Sequence, residues 1–310
     1  MPAGSQQENF SSRANLVPVP TLVRDAAGNA VYGLVAEDFT ITDDGTAQLV
    51  HMDVPMEPDP ISLAIVFECG RRASREFDRI RGLAAMLDPV LSGARNQASL
   101  LLFDSQLHLV EDFNNHSELI EHQLAELRPG DRGAAILDAV AYAVRMLARR
   151  QGHDRVLLLI SESRDHGSRF AKLDEVVRLI DENNVSVYAL PFSPYLSQQD
   201  DVLRGANRDE WRPNIDVVEK FAALHQSLRN NVPKTLTWLT GGEYETFHTR
   251  SGFESHMLSF TNHLESRYRL SFDPKNPHPG FHEIGVRLRQ ASPGESLVYR
   301  HGYWAGEMNR

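Results

Sequence analysis

Four mainly apolar runs mark the middle of the chain, and each has the length of a buried strand. They cover residues 61–67, 98–103, 156–160 and 185–190. Between and around them, apolar residues recur at helical spacing over 77–91, 116–127, 135–147 and 170–183. Strands that alternate with helices over short connections predict parallel strands with right-handed crossovers. The middle of the chain is therefore predicted to be an α/β, doubly wound, mostly parallel sheet of the Rossmann-like class.

Both ends of the chain show a different pattern, in which apolar and polar residues alternate as in half-buried strands. The N-terminal runs are 16–23, 36–42 and 48–52, and the C-terminal runs are 268–272, 282–288 and 296–303. Pro18 and Pro20 indicate an edge strand, and Asp43-Asp44-Gly45 is typical of a hairpin turn. Neither end is large enough to bury a core alone. We therefore expect the two ends to form one small β-sandwich into which the α/β domain is inserted.

Four segments follow from these patterns. Residues 1–14 are predicted to be a disordered tail, 15–58 the N-terminal β segment, 59–266 the α/β domain and 267–310 the C-terminal β segment. Within the α/β domain, residues 193–214 are expected to form a long loop beside the functional face. Helices are predicted at 215–231 and 252–266, with a short strand at 244–248 between them.

Charge and composition exclude several classes of function. The 310 residues include 32 basic and 42 acidic side chains, a net charge of −10, which argues against nucleic-acid binding. The apolar runs are far shorter than the ~18 residues of a membrane-spanning helix, so no membrane span is expected. One cysteine, Cys69, excludes an internal disulfide and cysteine-based metal frameworks. Since nucleophile-elbow, P-loop and dinucleotide-binding motifs are absent from the sequence, we expect no enzyme.

Three separated signals carry a resemblance to a known family. They are the strand–loop–helix order through Gly133-Ala-Ala-Ile-Leu-Asp138 and Val156-Leu-Leu-Leu-Ile-Ser-Glu162, the stretch 23–45, and Tyr268-Arg-Leu-Ser-Phe-Asp-Pro274 with Gly302-Tyr-Trp304. Together these residues resemble a von Willebrand factor A (VWA) domain protein of the acidobacterial "VWFA-related" family. The resemblance implies an adhesion-like protein-binding module that is secreted or periplasmic. No signal peptide is recognised at the N-terminus as given, so a cytoplasmic location is the alternative.

The resemblance also implies a metal-ion-dependent adhesion site, from which this sequence departs at every ligand. The family's Asp-x-Ser-x-Ser falls on Glu68, Gly70 and Arg72; its Thr falls on Ala134 and its late Asp on Glu162. The hydroxyl ligands are missing, and glutamate in place of aspartate disturbs the near-octahedral geometry that Mg²⁺ needs. We therefore expect a degenerate metal site with no Mg²⁺ and no other cofactor.

The predicted functional face is the rim at the carboxyl ends of the parallel strands. Arg71 and Arg72 either bridge the two glutamates as a substitute cation or extend into solvent as loop arginines. Cys69 is either a thiolate activated by these arginines or a small buried residue. The candidate rim residues are Glu68, Cys69, Gly70, Arg71, Arg72, Asp131, Ala134 and Glu162.

The expected function is a non-enzymatic protein–protein interaction or adhesion-like module with an unknown protein partner. The alternative is an anion or small-ligand binder, or an enzyme, that uses the cluster of Glu68, Arg71, Arg72 and Glu162. A purely structural protein with a silent rim is a third possibility. The thirteen histidines, including His278, His282 and His301, show no metal-ligand spacing and are expected to lie on the surface.

Overall fold

The structure is a computed structural model that describes residues 16–80, 82–93, 95–192, 231–275 and 278–306. Its strands are β1 (Val17–Arg24), β2 (Phe39–Asp43), β3 (Thr46–Gln48), β4 (His51–Asp53), β5 (Ile61–Glu68), β6 (Gln97–Phe103), β7 (Leu107–Asn114), β8 (Asp154–Ile160), β9 (Val185–Ala189), β10 (Tyr268–Phe272), β11 (Gly280–Leu288), β12 (Ser296–Tyr299) and β13 (Gly302–Ala305). Its α-helices are α1 (Leu83–Leu91), α2 (Ser117–Ala125), α3 (Ile136–Ala148), α4 (Leu173–Glu182), α5 (Val232–Thr240) and α6 (Arg250–Leu264).

A five-stranded sheet in the order β7-β6-β5-β8-β9 forms the centre of the molecule. All neighbours in it are parallel except β6 and β7. Every residue of β5 is buried, and alternate residues face opposite cores: Ile65 packs with α1, α2 and α6, and Val66 with α3, α4 and α5. Helices on both faces explain why the central runs are apolar without alternation. The predicted doubly wound α/β class is confirmed.

Three elements of the α/β domain differ from the sequence prediction. The helix predicted over 77–91 begins only at Leu83, because Gly82 has a φ of 87°, which interrupts helical geometry. Helix α5 was not predicted, and the strand expected at 244–248 consists of isolated bridges from Tyr244 and Phe247. The predicted tail 1–14, loop 193–214 and nearly all of helix 215–231 lie outside the described residues.

The two ends of the chain form a β-sandwich of two four-stranded sheets, in the orders β12-β1-β10-β4 and β13-β11-β2-β3. N-terminal β1 therefore lies between two C-terminal strands, and C-terminal β11 pairs with N-terminal β2. Their inward residues share one core. His282 lies at an inward position of β11 and is 1% exposed, so its predicted surface location is wrong. The sandwich formed by both ends is as expected, whereas the domain boundaries remain a prediction.

The prolines of β1 occupy the half of the strand that has one neighbour. Val17 to Thr21 pairs with β10, whereas pairing with β12 begins only at Thr21. Pro18 and Pro20 therefore lack an amide hydrogen at positions where no second ladder requires one. Although β1 is internal in the sheet order, its proline-containing half has the edge character that the sequence predicted.

Arg300 links the sandwich to the α/β domain. It is 7% exposed, forms an ion pair with Asp181 of α4, and donates hydrogen bonds to the carbonyls of Gly302 (2.9 Å) and Pro18 (3.3 Å). Burial lowers its pKa to about 10, which leaves it charged at neutral pH. A buried charge of this kind is stable only while its partners stay in place, so Arg300 fixes the orientation of the two parts.

None of the described helices is both long and apolar enough to cross a membrane.

Deleting residues 268–310 should unfold the N-terminal β segment as well, because β1 loses its neighbours β10 and β12. The measurement is amide hydrogen exchange at Val19, Leu22 and Val23, which are fully buried. Deleting only residues 307–310 is the matched control and should preserve protection, since every described strand remains. Native protection of β1 in the longer deletion would contradict the sandwich.

Candidate functional site

The two glutamates that end neighbouring strands meet at the rim. Glu68 is the last residue of β5 and Glu162 follows β8 by two residues. Because β5 and β8 are parallel neighbours, both carboxylates reach the same edge of the sheet. The backbone N–H of Glu162 donates to Oε2 of Glu68 at 2.8 Å, and both side chains are buried. The predicted convergence of Glu68 and Glu162 is confirmed.

Burial changes the charge of Glu68. Removal from water, together with the smaller effect of the nearby Glu162 charge, raises the pKa of its carboxyl to about 8. The hydrogen bond from the Glu162 amide and the charge of Arg72 act in the opposite direction. Glu68 is therefore largely protonated at neutral pH, which removes most of the repulsion between the two carboxyl groups.

Arg72 forms a long ion pair with Glu162 but does not bridge the two glutamates, so the bridging alternative is not observed. Arg72 Nη1 lies 3.6 Å from Glu162 Oε2, outside hydrogen-bonding reach, and its side chain is 60% exposed. Within the described part of the chain, Arg71 forms no ion pair; its backbone N–H donates to the Asp131 carbonyl at 2.6 Å. The direct contact of the Glu162 carboxylate is the imidazole of His166. Sequence reasoning missed His166, although the Glu162-x-x-x-His166 spacing was visible.

Cys69 is a buried structural residue. It is 5% exposed, and burial, together with the charge of Asp104, raises the pKa of its thiol to about 12. A thiol with this pKa holds almost no thiolate at neutral pH. The interpretation of Cys69 as a small buried residue agrees with its burial, and the raised pKa argues against an activated thiolate.

The remaining rim candidates fill space or hold loops together. A side-chain carbon on Gly70 would lie 3.0 Å from the Gly133 carbonyl, and Ala134 is completely buried. Asp131 accepts hydrogen bonds from Ser105, whose side chain contributes most to lowering the pKa of Asp131, and from the Gly133 N–H at 2.7 Å. The Asp131 carboxylate is therefore engaged in loop structure.

The donor atoms at the rim do not fit the metal that the family resemblance implies. A small hard cation needs ionised oxygens that converge without other partners. Glu68 is largely protonated, Ala134 has no side-chain oxygen, and Glu162 is already in contact with His166. We therefore assign no metal to this position.

Two further carboxylates support the rim and were not identified from the sequence. Asp138 accepts hydrogen bonds from the backbone N–H groups of Arg169, Phe170 and Ala171, at 2.6–3.4 Å. Asp104 accepts from the N–H groups of Gln106 (2.8 Å) and Asp131 (3.0 Å). Their positions in the sequence could have identified them, since Asp104 directly follows strand β6 and Asp138 lies in the first turn of α3.

The outer surface of the rim is formed by cations and one aromatic ring. Phe170 is 86% exposed. Five arginines from three rim loops are exposed, namely Arg71, Arg72, Arg132, Arg164 and Arg169. Of these five, only Arg72 forms an ion pair with another described residue. The rim carboxylates thus accept hydrogen bonds or ion pairs from neighbouring groups, and most of the guanidinium groups extend into solvent.

The Glu68→Gln variant should become more stable relative to the unaltered protein as pH rises from about 5 to 8. Folded Glu68 holds its proton up to a pKa of about 8, whereas in the unfolded chain it ionises near 4.5. In this window the folded state binds more protons, so stability falls as pH rises. Gln keeps the acceptor for the Glu162 N–H but does not ionise. The stability difference, on the order of a few kcal/mol, is measured from urea unfolding; a pH-independent difference would contradict the raised pKa.

No protein-family model and no curated protein matches the sequence. Among solved structures, a von Willebrand factor type A protein from Catenulispora acidiphila has 10% identity and a TM-score of 0.48, covering 96% of this chain and 65% of that chain. Conserved hypothetical protein BatB from Bacteroides thetaiotaomicron has 14% identity and a TM-score of 0.44, covering 65% of this chain and 97% of that chain. The vWF domain of the type V pili tip protein Mfa5 from Porphyromonas gingivalis has 14% identity and a TM-score of 0.32, covering 35% of this chain and 40% of that chain.

This chain thus spans less than two thirds of the length of the Mfa5 and Catenulispora structures. The expected VWA-like fold is observed in the sheet order with helices on both faces, and the acidobacterial assignment remains a prediction. Similarities with these identities and TM-scores carry no argument about function.

Proposed function

We propose that the protein is a non-enzymatic protein–protein interaction module that binds an acidic segment of a partner protein at the rim. The observation that carries this proposal is the arrangement of charge: rim carboxylates are engaged internally, while five arginines and Phe170 are exposed. Arginine and aromatic side chains are enriched at the energetic centres of protein interfaces. Guanidinium groups also bind carboxylates in a bidentate geometry that lysine does not offer.

Because the protein has a net charge of −10, a group of exposed arginines indicates where an acidic partner could bind. A protein with this charge repels an acidic partner from most of its surface, so binding requires a local excess of exposed cations. Electrostatic complementarity of this kind mainly sets orientation and association rate, and an exposed aromatic ring adds desolvated contact area. Phe170 is adjacent in sequence to Arg169, which places both kinds of group on one loop.

The filled rim supports a protein partner over a small ligand. Cys69, Ala73 and Ala134 are buried beneath it, and a side-chain carbon on Gly133 would lie 2.6 Å from Ser105. A cavity of about 590 Å³ in the described part of the chain lies instead between the sandwich and the amino ends of β5, β8 and β9. The lining of this cavity includes none of the residues of the Glu68–Arg72 cluster, so the cavity does not support the alternative of an anion or small-ligand binder there.

A secreted or periplasmic location is part of the same proposal. It is supported by the resemblance of the two end segments to the "VWFA-related" family. The partner would then be another protein of that compartment.

Reversing two rim charges, in an Arg71→Glu, Arg132→Glu double variant, should weaken binding of an acidic peptide by about tenfold or more. Each exposed attraction is worth only about 0.2–1 kcal/mol, but charge reversal replaces two attractions with two repulsions. The probe is a fluorescein-labelled decapeptide of glutamate, with affinity measured by fluorescence anisotropy at two salt concentrations. Higher salt should weaken binding to the unaltered protein.

The matched control is an Arg145→Glu, Arg149→Glu double variant, since these arginines are exposed at the far end of α3. It makes the same change in net charge and should leave peptide affinity almost unchanged. Equal loss in both variants, or no binding by the unaltered protein, would contradict the proposal and favour a silent rim. Displacement of the peptide by millimolar inorganic phosphate would favour the small-anion alternative.

Millimolar Mg²⁺ or Ca²⁺ should leave the unfolding temperature unchanged, because the rim lacks an oxygen cage for a hard cation. A ligand present at 100 times its Kd would instead stabilise the folded state by about 2.7 kcal/mol. The test is a thermal melt with and without each ion. A saturable increase that disappears in a Glu68→Gln, Glu162→Gln variant would show that a metal binds there.

A further inference from the structure

A second polar cluster lies in the sandwich, far from the rim along the chain. The β2–β3 hairpin contributes Asp43 and Asp44, and the start of β11 contributes His282, with His278 just before it. His282 Nδ1 lies 3.0 Å from both Asp43 Oδ1 and Asp44 Oδ2. His278 Nε2 lies 3.3 Å from the same Asp44 oxygen. Three potential ligand atoms, one each from Asp44, His278 and His282, thus lie within 4.8 Å of one another and come from the two ends of the sequence.

Hydrogen bonds to backbone carbonyls determine which nitrogen of each ring carries the hydrogen and which nitrogen has a lone pair that faces this cluster. His282 Nε2 lies 2.7 Å from the carbonyl oxygen of His278, and His278 Nδ1 lies 3.3 Å from that of Pro279. Since a carbonyl oxygen only accepts, each of these nitrogens carries the hydrogen. In the neutral rings the other nitrogens are then lone pairs directed at carboxylate oxygens. This second hydrogen bond, from imidazole to a carbonyl, is the one that metal-binding histidines typically make.

A cation between the two rings and the Asp44 carboxylate would suit this arrangement. A single metal ion can contact His282 Nδ1, His278 Nε2 and Asp44 Oδ2 together, since the ligand atoms of these three residues lie within 4.8 Å of one another. The other oxygens of the aspartates are already used, because Tyr303 Oη donates to Asp43 Oδ2 at 3.0 Å and the Glu283 N–H donates to Asp44 Oδ1 at 3.1 Å.

We propose that Asp44, His278 and His282 form a site for a divalent transition-metal ion of the Zn²⁺ class. Two imidazoles and a carboxylate suit Zn²⁺, and bonds of 2.0–2.1 Å in a tetrahedron place neighbouring ligand atoms about 3.3 Å apart. The observed separations from Asp44 Oδ2, 3.0 Å to His282 Nδ1 and 3.3 Å to His278 Nε2, agree with this spacing. Three protein ligands leave one position of the tetrahedron for a solvent oxygen.

The exposed side of the cluster would let a metal ion enter and would let the His278 ring change its orientation. The side chains of His278 and Asp44 are 49% and 27% exposed, so an ion can enter from solvent. The two imidazole rings are stacked with centroids 4.0 Å apart. Because a metal lies close to the plane of each imidazole that binds it, His278 must tilt on binding, which its exposure allows. Binding would join the N-terminal hairpin to β11 and so stabilise the pairing of the two ends.

The test is equilibrium dialysis of the full chain against Zn²⁺ in the presence of excess Mg²⁺. We expect one saturable Zn²⁺ per chain and a saturable rise in unfolding temperature. The variants His278→Ala and Asp44→Asn should each weaken binding more than about 100-fold, since losing an outer-shell partner already costs 10- to 100-fold. Asn suits position 44, whose φ is 47°, because it tolerates left-handed backbone and keeps the acceptor for the Glu283 N–H.

His116→Ala is the matched control, since the exposed His116–Glu118 pair, with 3.0 Å between Nδ1 and Oε1, is an ordinary surface site for Zn²⁺. It should leave the saturable site intact. The absence of saturable Zn²⁺ binding, or binding that survives in both His278→Ala and Asp44→Asn, would overturn the proposal. If either variant unfolds, Co²⁺ added to the unaltered protein decides: the intense visible absorption of four-coordinate Co²⁺ supports the site, and its absence refutes it.

Discussion

Both described strands that pair with β1 come from the other end of the chain, and the rest of the architecture depends on this pairing. Its two ladders run to β10 and β12, while β2 pairs with β11 in the facing sheet. The inserted α/β domain therefore starts and ends at the same side of the sandwich. Arg300 adds an orientation constraint, because this buried guanidinium has partners in β1, α4 and β13. The rim consequently lies at the carboxyl ends of the central strands, whereas the sandwich lies against their amino ends.

At the rim, burial replaces the charge balance that a metal would supply. Glu68 takes up a proton, Glu162 contacts His166, and Asp104, Asp131 and Asp138 accept hydrogen bonds from neighbouring loops. These interactions leave the loop arginines without internal partners among the described residues, apart from Arg72. The same loops that hold these carboxylates in internal hydrogen bonds and ion pairs thus present the arginines to solvent.

Apolar periodicity was sufficient to predict the central strands and the sandwich. A run of apolar residues is typical of a strand buried on both faces, and an alternating run is typical of a strand buried on one face. It could not predict that Gly82 adopts a left-handed conformation and shortens α1, since a single glycine is tolerated in many helices. Charge partners were the least predictable feature. Arg72 and His166 are both close to Glu162 in the fold, and only their three-dimensional distances identify the imidazole as the direct contact.

The burial of His282 was accessible from the sequence, since His282 and Ile284 share the inward face of one alternating strand, as do Ile41 and Asp43 in its neighbour. Treating the histidines as a group concealed that pattern. The pattern could not predict which ring nitrogen contacts each carbonyl, because the tautomer follows from hydrogen-bond geometry alone.

The two prolines of β1 have a consequence for synthesis on the ribosome. Val17 pairs with Phe272, so at 5–20 residues per second β1 emerges roughly 10–50 s before its partner exists. During this interval an apolar strand with free edges can pair with other nascent chains. Pro18 and Pro20 remove two amide donors from the half of β1 that has one partner in the finished sheet. The loss of these two donors destabilises the folded sheet little, and it makes the unpaired strand a poorer template for aggregation.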